Sequence, residues 1–145
     1  MIPIEIILFV LGFFGGLIAS FFNFVVGEIY KKREEKRNKV DEFMFEVINL
    51  IAIATSAGYK LKLHEEDRRR VTRAAFQLER LGEISTGQNI LSYLNKWTIA
   101  YGIFTKKTLE DEKTFLKMVK ELDLLTDKIL KLDTPQQPLF KKFFR

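Results

Sequence analysis

The single histidine of this chain stands next to three acidic residues, in the run His-Glu-Glu-Asp at residues 64–67. Histidine beside carboxylates is typical of metal binding or proton transfer. A helical zinc site, however, needs a second His four residues away, and a di-iron bundle needs two Glu-x-x-His pairs. The acidic run at residues 110–112 lacks the spacing of a calcium loop and fits the first turn of a helix, where negative charge is favourable. Neither run predicts a metal site.

Nucleophilic and cofactor chemistry have no better candidates. The chain has no Cys, which excludes thiol catalysis, disulfides and Cys-ligated metals. Ser56 and Ser92 have no credible His base, and the sequence contains no phosphate-binding loop, dinucleotide fingerprint or nucleophile elbow. We therefore expect a protein that is not an enzyme and that uses no cofactor.

An uncharged segment near the N-terminus dominates the hydropathy of the chain. Residues 6–27 contain no Asp, Glu, Lys or Arg. As a helix they would measure roughly 33 Å, which matches a hydrocarbon core of roughly 30 Å. A cleaved signal peptide would need basic residues before this segment and small residues after it. Residues 1–5 have no basic side chain and residues 21–26 are bulky, so we predict a transmembrane helix within residues 1–30.

The charge on the two sides of this segment predicts its orientation. Residues 31–39 carry six basic and two acidic side chains, whereas residues 1–5 carry only Glu5. Since basic flanks stay cytoplasmic, the short N-terminus should face outward and the rest of the chain should be cytoplasmic. The flank is either a simple stop-transfer signal or a site for anionic lipid headgroups. Its basic residues are Lys31, Lys32, Arg33, Lys36, Arg37 and Lys39.

Small and polar residues recur along the uncharged segment at steps of three and four. Such a stripe allows another helix to approach closely, and Gly12-x-x-x-Gly16 is a familiar dimerisation pattern. Asn23 can add a hydrogen bond to a partner helix. The stripe predicts packing on a sister or partner helix, and the alternative is a face exposed to lipid. Its members are Gly12, Gly16, Ala19, Ser20, Asn23 and Gly27.

In the remaining chain, apolar residues recur every three or four positions, which is the period of a helix. This pattern predicts an all-α fold. The membrane helix should be followed by a cytoplasmic bundle of about four helices over residues 40–134. The expected helices are residues 40–61, 65–81, 88–101 and 108–132. The first could continue from the membrane helix or end early at Gly58. Gly82 is a predicted C-terminal cap, Ser85 or Thr86 a predicted N-cap, and Thr108 with Asp111 a capping box. The predicted buried stripe of the last helix is Leu109, Leu116, Val119, Leu122, Ile129 and Leu132.

Two further segments are apolar enough to raise the question of a second membrane element. Residues 47–59 are uncharged and residues 90–104 carry one Lys. Each is shorter than the roughly 17 residues that a span needs, which favours buried helices over interfacial placement. Tyr93, Trp97 and Tyr101 lie four residues apart in the second segment. We interpret them as a core face rather than a binding stripe.

The C-terminal tail, residues 135–145, interleaves aromatic and basic side chains after two prolines. This composition suits a membrane interface, a groove on a partner, or the chain's own bundle. The residues concerned are Phe140, Lys141, Lys142, Phe143, Phe144 and Arg145.

The net charge of +5 includes an arginine cluster at residues 68–70, with Arg73 one turn on. The cluster resembles a nucleic-acid patch. Three acidic residues precede it, however, and the Glu65–Arg69 and Glu66–Arg70 spacings allow ion pairs within a helix. A solvated helix face is the favoured interpretation, and nucleic acid is the least favoured partner.

Taken together, these patterns predict a single-pass membrane protein that acts as an adaptor or accessory subunit. Its partners would be membrane lipid and either sister copies or another membrane protein. One alternative is a homo-oligomeric pore lined by Asn23, Ser20 and Glu5, since polar groups in a span are usually functional when they face water. A weaker alternative is a membrane tether for nucleic acid.

Overall fold

The computed structural model describes residues 3–131, and within them the fold is all-α. Four helices follow one another: α1 (Ile4–Ser56), α2 (Glu65–Arg80), α3 (Ile84–Lys106) and α4 (Leu109–Leu130). The described residues contain no strand. The chain divides into two compact units, Met1–Lys39 and Val40–Arg145, and α1 contributes to both. The prediction of a long N-terminal helix followed by a helical bundle is confirmed.

The first unit consists of the N-terminal part of α1, and every described side chain in it is exposed. Among the described residues, α1 is the one helix long and apolar enough to cross a membrane, judged by length and composition. No residue between 27 and 40 interrupts it, so the expected continuity between the N-terminal segment and the first bundle helix is confirmed.

The second unit has its own hydrophobic core, built from all four helices. The C-terminal part of α1 supplies five buried side chains: Met44, Val47, Leu50, Ile51 and Ala54. α2 and α3 supply the middle of the core, with Val71, Ala74, Ala75, Leu78, Ile90, Tyr93, Leu94, Trp97 and Ala100. α4 adds Phe115, Leu122 and Ile129.

Consecutive helices of this unit run antiparallel. A turn joins the end of α1 to the start of α2. The guanidinium of Arg70, in the second turn of α2, lies 3.5 Å from the carboxylate of Glu46, which is ten residues before the end of α1. The start of α3 packs on the later part of α2. The rings of Phe104 and Phe115, on either side of the α3–α4 turn, lie 5.6 Å apart. The bundle therefore has one end at the α2–α3 turn and the opposite end at the α1–α2 and α3–α4 turns.

α1 ends at Ser56, five residues before the point to which its apolar period extends. Gly58 adopts φ 57° and Tyr59 adopts φ 61°, both in the left-handed region. The amide of Gly58 donates to the carbonyl of Thr55 at 3.0 Å, and the amide of Tyr59 donates to that of Ala54 at 2.9 Å. This pair of bonds is the Schellman arrangement, so the early ending at Gly58 is confirmed.

The same arrangement ends α2. Gly82 has φ 94°, and its amide donates to the carbonyl of Glu79 at 3.0 Å. The next amide, that of Glu83, donates to the carbonyl of Leu78 at 2.9 Å. The predicted cap at Gly82 is therefore confirmed, and the hydrogen-bond pattern explains why a glycine stands there.

α3 begins at Ile84, and the predicted N-cap at Ser85 or Thr86 is wrong. Both residues lie inside the helix, and its N-cap, Glu83, makes no side-chain capping bond. Only residues 81–83 separate the two helices, so α3 starts directly after the Schellman turn. A side chain at Gly87 would meet the backbone oxygen of Ala75 at 2.8 Å, which shows how closely the start of α3 packs on α2.

α4 begins as predicted, with Thr108 as its N-cap. The hydroxyl of Thr108 accepts a hydrogen bond from the amide of Asp111 at 3.2 Å and donates to the Asp111 carboxylate. The predicted apolar stripe is partly wrong. Leu109 is 84% exposed and Leu116 is 55% exposed, because Phe115 occupies the inward position instead.

The buried face of α4 follows a seven-residue step through Phe115, Leu122 and Ile129. Val119 is half-buried against the core, so three of the predicted stripe residues are confirmed. Leu132 lies outside the described residues.

Candidate interaction surfaces

The small-residue stripe occupies one face of the N-terminal part of α1. At about 100° per residue its six members fall within an arc of about 100°. All six are exposed. Apart from the surrounding backbone of α1 itself, a Cβ atom added at Gly12, Gly16 or Gly27 would meet nothing within 4 Å. The stripe therefore has room for close approach of a second helix, and the described part of the chain does not fill it.

The six basic residues of residues 31–39 continue α1 and are all exposed. At about 100° per residue they spread over about two-thirds of the helix circumference. They form a collar around the helix rather than a pocket for one ligand. Such a collar has the geometry needed to contact several phosphate groups around a helix.

The two apolar segments of the bundle, residues 47–59 and 90–104, both contribute buried side chains to its core, which agrees with the interpretation as buried helices. Tyr93 and Trp97 are buried, while Tyr101 is only half-buried. The ring of Tyr59 packs edge-on against those of Tyr93 and Trp97, at 6.2 and 6.5 Å. Sequence reasoning did not identify Tyr59, because it lies in a turn and outside the periodic pattern.

Polar atoms at the edge of this aromatic cluster are only partly paired. The indole N–H of Trp97 donates to the carbonyl of Leu61 at 3.0 Å, and the hydroxyl of Tyr59 donates to Asp123 at 3.3 Å. The hydroxyl of Tyr93 is buried without a hydrogen-bond partner among residues 3–131. Burial raises the pKa of Tyr93, so this hydroxyl stays neutral. The cluster is a core feature and presents no reactive group to solvent.

The arginine cluster at the start of α2 is largely engaged within the chain. Arg69 pairs with Glu65 at 3.4 Å, as predicted. Arg70 does not form the predicted pair with Glu66. It contacts Asp67 at 2.5 Å and also Glu46, because it points toward α1. The Asp67 hydrogen bond and the charge of Glu46 raise the pKa of Arg70.

A shallow groove of about 1070 Å³ follows the outer face of α2. Arg73, Phe76, Arg80 and Ile84 are among the residues that line it, and the lining also includes Glu65 and Glu79. Sequence reasoning singled out Arg73 only as an extension of the arginine cluster and missed Phe76, Arg80 and Ile84. These residues do follow one another in the sequence at steps of three and four, from Arg73 to Ile84. That spacing indicates a shared outer face only once the buried face of α2 is known.

A second groove, of about 510 Å³, lies at the opposite end of the bundle, beside the α3–α4 turn. Phe104, Phe115 and Leu116 line it, and the ammonium of Lys60 sits 5.6 Å from the centre of the Phe104 ring. The exposed Leu109 also lines it.

Within the described residues, no group of three His or carboxylate side chains lies close enough together to hold a metal ion.

Comparisons of the chain with protein-family models, with curated proteins and with solved structures find no match. The tail residues Phe140–Arg145 lie outside the described residues, and their role stays a prediction. The described residues offer three kinds of surface to a partner: the stripe, the basic collar and the outer faces of the bundle.

Proposed function

We propose that this protein is a single-pass, membrane-anchored adaptor or accessory subunit. In this proposal residues 6–27 cross the bilayer, the stripe packs on a sister or partner helix, and the bundle serves as a cytoplasmic docking domain. The observation that carries the proposal is the contrast between the two units. The bundle buries its own apolar residues, whereas the long apolar segment of α1 buries none of them in the described chain.

Exposed apolar side chains on this scale are unfavourable in water. Between Ile4 and Tyr30, 18 large hydrophobic residues are each at least 37% exposed. Monomeric soluble proteins rarely expose apolar patches larger than a few hundred Å². A bilayer supplies an apolar environment, and a helix satisfies its own backbone hydrogen bonds there. This supports membrane insertion over a second soluble domain.

The basic collar supports the proposed orientation and lipid contact. Lys and Arg beside a span are retained on the cytoplasmic side. Long basic side chains arranged around the helix can reach lipid phosphates while their aliphatic parts stay near the apolar core. On this basis the N-terminus lies outside, and the bundle lies in the cytoplasm together with the tail.

The stripe supports packing on another helix. Between helices in lipid, attraction comes from close van der Waals contact and from hydrogen bonds rather than from the hydrophobic effect. Four consecutive helix turns of the stripe offer small side chains or glycine, and Asn23 offers an amide. A polar amide of this kind in a span is favourable when it meets a partner group.

Replacing Gly12 and Gly16 with Ile should disrupt this packing. Isoleucine keeps the segment apolar, and its Cβ would meet nothing within 4 Å apart from the surrounding backbone of α1, so the isolated helix should be unaffected. We expect association to fall at least about tenfold, which corresponds to about 1.4 kcal/mol. The measurement is the mass of the complex after mild detergent extraction, compared with the 17.0 kDa of one chain.

The matched control is Phe14→Ile with Phe21→Ile, two substitutions on the opposite face of the same helix. This control should leave the mass of the complex unchanged. If the glycine variant keeps the same complex as the natural chain, the stripe is not the packing surface.

A further inference from the structure

The α2–α3 turn lies at the same end of the bundle as Val40. This placement follows because α1 and α2 run antiparallel. Arg70 of α2 lies beside Glu46 of α1, and the remaining turns of α2 continue from there toward Val40. The opposite end carries the first residue of α4, Leu109. Thus the final turns of α2 and the start of α3 lie at the end of the bundle that also carries Val40, the first residue of the second unit.

The exposed residues at this end have a distinctive composition. Arg73, Phe76, Arg80 and Ile84 follow one another at steps of three and four and lie on one outer face; we call them the α2 corner. Phe76 is 51% exposed and Ile84 is 56% exposed. Arg73 and Arg80 are exposed and form no ion pair with any residue in the described range 3–131, unlike Arg69 and Arg70.

We propose that the α2 corner binds anionic phospholipid headgroups of the bilayer that anchors α1. Two unpaired guanidinium groups can bind lipid phosphates, and the interleaved Phe and Ile can enter the boundary between headgroups and acyl chains. This inference rests on the proposed function, because it needs the chain to be anchored.

Chain connectivity favours a bilayer over a soluble partner as the occupant. Only 12 residues, 28–39, separate the uncharged segment from Val40, and even fully extended they span at most about 43 Å. An anchored bundle therefore always has a lipid surface within reach, at a high effective concentration. Even weak contacts at the α2 corner can then be occupied for much of the time.

The test uses the full chain in liposomes of phosphatidylcholine, with or without phosphatidylserine. The chain has no Cys, so a single cysteine introduced by Ile84→Cys carries one environment-sensitive fluorophore. Headgroup-labelled nitroxide lipid serves as the quencher. We expect strong quenching in the phosphatidylserine liposomes and weak quenching in pure phosphatidylcholine. Raising the salt concentration should reduce the quenching, since screening weakens exposed charge interactions.

Charge reversal identifies the residues responsible. In the Ile84→Cys background, Arg73→Glu with Arg80→Glu should lower the phosphatidylserine-dependent contact by well over fivefold, since one basic residue near an anionic surface accounts for about fivefold. The control pair Lys113→Glu and Lys120→Glu makes the same charge change on α4 and should leave the quenching unchanged. A fluorophore at Leu109→Cys, at the opposite end of the bundle, should show little quenching in either liposome.

Three results would overturn the proposal: equal quenching in both lipid mixtures, quenching that survives reversal of the two arginines, or equal quenching at positions 84 and 109. If the fluorescence at position 84 changes on addition of a single-stranded oligonucleotide but not of phosphatidylserine, the α2 corner binds nucleic acid instead. An alkaline carbonate wash distinguishes failure of the anchor from failure of the corner. If the protein is released, the proposed function fails; if it is retained without quenching at position 84, only the inference about the corner fails.

Discussion

Replacement of Leu17 and Ile18 with Arg is expected to release the protein from membranes. Both residues lie at the middle of residues 6–27, away from the small-residue stripe. Each Arg at the centre of a span costs about 2.5–3.5 kcal/mol on insertion scales, so two cost about 5–7 kcal/mol. Retention of the protein in the membrane pellet after an alkaline carbonate wash measures the effect.

The matched control places two Arg residues just beyond the segment, through Glu34→Arg and Glu35→Arg. These changes strengthen the basic collar and should leave the protein in the pellet. If the Leu17→Arg, Ile18→Arg protein remains in the pellet as fully as this control, residues 6–27 do not hold the protein in the membrane.

Trp97→Ala is expected to produce the largest loss of stability among single substitutions in the bundle. Its ring is 2% exposed and packs edge-on against Tyr59 and Tyr93. Its N–H also ties the core to the turn after α1 through Leu61. Truncating a buried Trp or Phe to Ala costs about 3–5 kcal/mol, through lost burial and the cavity that remains. Urea unfolding of the full chain in mild detergent, followed by far-UV circular dichroism, measures the free energy of unfolding.

Ile99→Ala is the matched control on the same helix, since Ile99 is 52% exposed. Exposed substitutions change stability by about 0.5 kcal/mol or less. Equal unfolding midpoints for Trp97→Ala and Ile99→Ala would show that the aromatic cluster does not stabilise the bundle.

The sequence predicted the helices well where local chemistry fixes them. Gly58 and Gly82 end helices because a left-handed residue is inexpensive at glycine, and Thr108 starts α4 because its hydroxyl satisfies a free amide. These signals act over a few residues and can be recognised without knowledge of the tertiary structure. The uncharged segment can be recognised in the same way, since its signal depends only on length and composition.

The errors arose where tertiary packing selects among similar local signals. Ser85 and Thr86 have the chemistry of an N-cap, yet α3 already begins at Ile84, and Thr86 is buried inside its first turn instead of capping it. Leu109 and Leu116 fit an apolar period as well as Phe115 does. Only the neighbouring helices decide which of the two registers faces inward, and they favour the Phe115 face.

The candidate surfaces divide in the same way. The stripe and the basic collar lie on one continuous helix, so spacing along the sequence was sufficient to define them. The α2 corner combines the end of one helix with the start of the next. Its residues Phe76 and Ile84 become a surface only once the buried face of α2 and the tight turn at Gly82 are known. Sequence spacing alone could not join them.

The proposed function requires one membrane crossing, with the N-terminus outside and the bundle in the cytoplasm, and cysteine accessibility in the full chain measures this topology. Single cysteines replace Pro3, before the uncharged segment, and Lys62, in the exposed turn after α1. Intact cells are treated with a membrane-impermeant maleimide, before and after permeabilisation. We expect labelling of Pro3→Cys in intact cells and of Lys62→Cys only after permeabilisation. Labelling of Lys62→Cys in intact cells, or protection of both positions until permeabilisation, would contradict a single span with an outward N-terminus and a cytoplasmic bundle.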